Sequence, residues 1–90
     1  MEITNVKIRK TFENEPLCAV MSVTFDDCIA VHDVKIINAG GRHFVVMPSR
    51  KNSQGEYKDI VHPINSSFRQ KLENTLIEVY HKETRELSNV

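Results

Sequence analysis

Residues 44–65, FVVMPSRKNSQGEYKDIVHPIN, decide how this chain is to be read. Phe44 to Met47 is a short apolar run that fits a buried strand. From Ser49 to Asp59 the residues turn polar, and Gln54-Gly55 marks a tight bend in a long loop. Ile60-Val61-His62 reads as a second short strand. Pro63 then ends pairing, because it has no N–H to donate, and Asn65, Ser66 or Ser67 can cap a helix. Arg50, Lys51 and Lys58 thus fall in one exposed excursion between two apolar anchors.

Downstream, Phe68, Leu72, Thr75, Leu76 and Val79 recur at spacings of three and four and form one apolar helical stripe. Ser67 with Gln70 fits a capping box at its start. Beyond Tyr80 the apolar periodicity stops, which predicts a frayed tail over residues 82–90. Upstream, Leu17, Ala19, Met21, Val23 and Phe25 alternate with Cys18, Val20, Ser22 and Thr24, the period of a half-buried strand. Residues 2–12 read as a strand with Val6 and Ile8 on one face and Lys7 and Arg9 on the other. Asp26-Asp27 is a short polar turn, so strands one to three read as an antiparallel meander, and Ala39-Gly40-Gly41 is the next turn, leading into a fourth strand over Arg42 to Met47.

The strand from Ile29 to Asn38 carries apolar residues at both parities: Ile29, Val31 and Ile37, then Ala30, Val34 and Ile36. Such a strand is central, or a partner chain covers it. His32 and Asp33 are neighbours and point to opposite faces unless a bulge intervenes. The expected fold is α+β: an antiparallel four- to five-stranded sheet with one C-terminal helix packed on it, dimerising through β-structure.

Composition bounds function. Ninety residues make one domain with one modest core, too small for a deep catalytic cleft. Lys plus Arg equals Asp plus Glu at 12 each, so a basic surface can arise only by segregation. The N-terminus MEITNVKIRK has no apolar h-region and no run approaches the ~20 apolar residues of a membrane span, so a cytoplasmic chain without membrane contact is expected. Cys18 and Cys28 read as buried reduced thiols, having no CxxC spacing. His32, His43, His62 and His81 lack metal-ligand spacing, and no GxSxG elbow or phosphate loop is present. The reading is therefore of no catalytic residues, no cofactor, no metal and no small-molecule substrate.

What remains is the basic loop. Arg50, Lys51 and Lys58 with Tyr57 can contact phosphates and stack on a base, while Glu56 and Asp59 nearly cancel the charge and favour a plain solvated loop. Lys7, Arg9 and Lys10 form a second basic patch, or else the polar face of an edge strand.

Three runs carry a resemblance: VHDVKII at 31–37, FVVMPSRK at 44–51 and GEYKDIVHPINS at 55–66. Together with the opening MEITNVKIRK they resemble the SpoVG family, the stage V sporulation protein G or septation regulator of bacteria, over residues 1–81 as a single domain. The resemblance implies a cytoplasmic homodimer that binds DNA, and in some members RNA, and modulates septation or sporulation. By position it implies nucleic-acid contacts at Arg50, Lys51 and Lys58 in the loop and at Arg69 and Lys71 on the helix. Members often carry KRTPDGEFRD where this chain has RKNSQGEYKD, so Lys58 stands at an Arg position and a bidentate guanine contact there is weakened. The alternative is a protein-interaction module of the division machinery.

Overall fold

The structure is a computed structural model that describes residues 1–13 and 16–88, with side chains as far as Thr84. Four strands, β1 (Ile3–Thr11), β2 (Leu17–Phe25), β3 (Ile29–Ala39) and β4 (Arg42–Val46), form an antiparallel sheet in sequential order. A separate ribbon pairs β5 (Ser49–Lys51) with β6 (Tyr57–Asp59), and the helix α1 (Ser66–Ser88) packs on one face of the main sheet. The α+β reading holds, with the β-structure divided between a sheet of four strands and a ribbon of two.

The turns are dictated by residues that tolerate left-handed backbone. Asp26 and Asp27 both have positive φ, 51° and 52°, and Cys28 N–H donates to the Phe25 carbonyl at 2.9 Å. Gly40 and Gly41, at φ 62° and 81°, do the same between β3 and β4. Two successive positive φ values match the right-handed twist of the flanking strands, which makes both connections tight hairpins. Cys28 lies in the first of these turns and is exposed, so only Cys18 is the buried thiol that the sequence suggested for both.

The core lies between the sheet and α1. Ala19, Met21, Val23, Val34, Ile36 and Leu76 are at most 1 % exposed, with Leu72 close behind at 2 %. Phe68 and Val79 flank them, so the helical stripe read from the sequence is the buried face. Asn65 starts the helix: its Oδ1 accepts the Phe68 N–H at 2.7 Å and the Ser67 hydroxyl at 3.1 Å. One of three adjacent capping residues is thereby selected, and the Ser67 hydroxyl that a capping box would use is already engaged. The helix continues beyond Tyr80 to Ser88, so residues 82–88 of the expected frayed tail are helical; Asn89 and Val90 lie outside the described residues.

The sheet departs from simple alternation at four places. In β3, Val31 pairs with Val23 and Val34 with Met21, so three steps on β3 oppose two on β2. Asp33 takes up the extra residue at φ 63°. A one-residue insertion inverts the side-chain alternation beyond it. Ile29 and Val31 before the bulge therefore share the helix-facing side with Val34 and Ile36 after it, which corrects the reading of β3 as apolar on both faces along its length. Further shifts fall at Thr4, at Arg9 and at Cys18. His32 directs Nδ1 to the Ser22 hydroxyl at 2.8 Å across the strands, away from the helix.

Candidate nucleic-acid interface

The polar excursion after β4 is an ordered ribbon. Asn52 organises its tip: the side-chain Oδ1 accepts N–H groups from Gln54 and Glu56, both at 2.9 Å. The Asn52 N–H donates to the Glu56 carbonyl at 2.8 Å, and Gly55 at φ 82° closes the bend. An Asn side chain that mimics a backbone turn, followed by Gly where φ must be positive, is a local sequence instruction. This closure fixes the register Ser49↔Asp59, Arg50↔Lys58, Lys51↔Tyr57. The second strand is consequently Tyr57–Asp59 and not Ile60-Val61-His62; Ile60 N–H makes the last rung, to the Pro48 carbonyl at 2.8 Å.

The register sorts the charges. Arg50 and Lys51 are adjacent, so they project to opposite faces of the ribbon. Arg50 shares its face with Lys58 directly across, and Lys51 shares the other with Tyr57. Like charges directly opposite one another oppose pairing unless a counter-charge intervenes. Here Glu56 approaches Lys58 at 3.8 Å, but both side chains are more than 60 % exposed and solvent screens the pair. All residues of the ribbon are exposed, and its cations line a shallow depression with Asn52, Ser53, Asp59 and Ile60.

Arg69 and Lys71 stand apart from this set. Arg69 is half-buried on the first turns of α1 and faces Glu73 at 3.8 Å, one helical turn on, while Lys71 is exposed. Neither lines the depression beside the ribbon.

A second concentration of cations lies on the sheet face away from α1. The Arg9 bulge turns Lys10 outward, opposite Val20, and Lys35 faces outward on the far side of Val20. Lys7 pairs with Ser22, whose hydroxyl accepts Arg9 Nε at 3.0 Å. Arg42 faces outward opposite Ala39, with its guanidinium 5.6 Å from the centre of the Phe44 ring. Sequence reading found Lys7, Arg9 and Lys10 but missed Lys35 and Arg42. The signal was there in part, since the Gly40-Gly41 hairpin sets Arg42 against Ala39.

The SpoVG family model matches residues 1–82. The chain belongs to the SpoVG family. A relative from Thermoanaerobacter sp. (strain X514) is 50 % identical over 82 residues, 91 % of this chain and 89 % of its own length. One from Caldanaerobacter subterraneus subsp. tengcongensis is 47 % identical over 89 residues, 99 % of this chain and 98 % of its own length. One from Desulforudis audaxviator is 45 % identical over 87 residues, 96 % of this chain and 99 % of its own length. All three carry the name "Putative septation protein SpoVG". Among the described residues of this SpoVG chain, no helix is long and apolar enough to cross a membrane.

Proposed function

We propose that this chain is a cytoplasmic bacterial regulator of septation and sporulation that acts without catalysis, binding DNA, with RNA as a second ligand class, as a homodimer. The observation that carries the nucleic-acid reading is the β5–β6 ribbon, which sets Arg50 beside Lys58 on one face and Lys51 beside Tyr57 on the other. A two-stranded ribbon fits the major groove of B-DNA, about 12 Å wide, and cations on both faces can meet both phosphate walls at once. The septation role draws its support from the family match and from the names of the relatives.

The homodimer draws on apolar surface near the ribbon. Ile64 is 92 % exposed, Ile60 67 % and Ile29 57 %. Ile29 and Ile64 border a groove of about 370 Å³ that Phe25, Met47, Phe68 and Leu72 also line. Exposed branched side chains next to an apolar groove on one molecule are the ingredients of a two-fold interface, in which each copy fills the other's groove. The alternative of a protein-interaction module would use the same apolar residues for a different partner.

Fluorescence anisotropy with a labelled duplex, over a series of salt concentrations, tests the reading. Salt-dependent binding that Arg50→Ala/Lys51→Ala weakens is expected. Absence of binding near 150 mM salt, with salt-insensitive capture of a division protein, would favour the interaction module.

A further inference from the structure

The ribbon accounts for three of the cations, yet the strongest segregation of charge is elsewhere. The four strands of the main sheet contain five cations, Lys7, Arg9, Lys10, Lys35 and Arg42, against a single acid, Asp33, in a chain whose charges balance overall. Bulges and register bring all five to the face that α1 leaves uncovered. Phe44 lies among them, 43 % exposed, on the row Leu17–Ile37–Phe44.

From this juxtaposition we infer that the outer sheet face is a binding platform for single-stranded nucleic acid, separate from the ribbon. The inference rests on the nucleic-acid reading for its ligand class and on different residues for its site. Shape excludes a duplex groove as the ligand, since four strands about 4.8 Å apart span about 14 Å before side chains are added. That is wider than the ~12 Å major groove. An unpaired strand has no such limit: it lies across an open sheet, its phosphates over the cations and its bases against aromatic side chains.

Local bonding supports the assignment. Arg9 spends Nε on the Ser22 hydroxyl, and Ser22 is held in turn by His32, which anchors the guanidinium and leaves its two Nη groups for a phosphate. Lys10 and Lys35 flank Val20 on one cross-strand row. The Arg42 guanidinium lies 5.6 Å from the centre of the Phe44 ring, so a cation for a phosphate adjoins an exposed ring on which a base can stack.

The test is anisotropy of a labelled unstructured 20-mer of deoxythymidine and, separately, of a duplex, against wild type, Phe44→Leu and Lys35→Glu. Wild type binds the single strand, and Phe44→Leu, which keeps the apolar bulk and removes the ring, weakens that binding about tenfold while duplex affinity is unchanged. Lys35→Glu does the same through charge. Duplex binding without single-strand binding, or single-strand binding that both variants leave intact, overturns the platform and spares the ribbon. Weaker single-strand binding by both variants, with Arg50→Ala/Lys51→Ala weakening only duplex binding, is the pattern of two sites. If Lys35→Glu instead halves the mass in light scattering, the face is an interface between copies and the platform falls. Binding of neither ligand by wild type removes both the platform and the nucleic-acid reading.

Discussion

Val31 and Val34 lie on the same face of the sheet although they are an odd number of positions apart, opposite Val23 and Met21 respectively. Strict alternation would put them on opposite faces. Asp33, at φ 63°, makes the difference, because a residue in the left-handed region lets β3 take one more step than its partner. Two further apolar residues, Ile29 and Val31, thereby join the helix-facing side.

Asp33 should therefore be replaceable by Gly and intolerant of β-branched residues. Asp33→Gly is expected to leave stability unchanged or raise it slightly, whereas Asp33→Val should cost about 1–3 kcal/mol for a branched side chain forced to positive φ. Urea unfolding followed by circular dichroism measures both. Equal stability of the two variants would show that the bulge does not require its conformation.

The helix cap gives a second discrimination. Asn65→Ala should destabilise by about 1 kcal/mol, since the Phe68 N–H loses its acceptor. Ser67→Ala should cost less than half of that, because its hydroxyl only donates to the Asn65 side chain. The reverse ranking in denaturant midpoints would restore the capping box at Ser67.

Leu76 is fully buried where α1 crosses the sheet. Leu76→Ala should cost about 2–5 kcal/mol through lost burial and the cavity left behind. A domain of this size has only ~5–15 kcal/mol in total, so the variant should show a markedly lower denaturant midpoint at unchanged slope.

These elements differ in how plainly the sequence announces them. The β2 strand and α1 were legible because long apolar repeats at period two and period 3.6 leave few alternatives. The ribbon was not, because three-residue strands of polar side chains carry no alternation; its register comes from the Asn52 side chain and Gly55. The bulges at Arg9 and Asp33 were hidden for another reason. Each inverts the side-chain parity of the strand on one side of it relative to the other, so the faces occupied by Lys10 and Val31 depend on a choice that only cross-strand pairing makes. Of the basic residues read from the sequence, Arg50, Lys51 and Lys58 all border the ribbon's depression, Arg50 and Lys58 as a cross-strand pair and Lys51 one position along, opposite Tyr57, while Arg69 and Lys71 lie on α1 apart from it.

The homodimer predicts a mass twice the 10.4 kDa of the chain in light scattering at micromolar concentration. Ile64→Lys should reduce it to a monomer, since it places a charge on the most exposed branched side chain beside the apolar groove. Circular dichroism should be unchanged, because Ile64 is almost fully exposed in the monomer. A wild-type protein that is monomeric at these concentrations would remove the dimer.

The most direct measurement for the ribbon is the slope of log affinity for duplex DNA against log salt concentration, in wild type and in Arg50→Ala/Lys51→Ala/Lys58→Ala. Each phosphate neutralised contributes about −0.9 to that slope, so the triple variant should bind more weakly and its slope should be shallower by about two to three. If both proteins bind with the same affinity and the same slope, the ribbon does not contact phosphates.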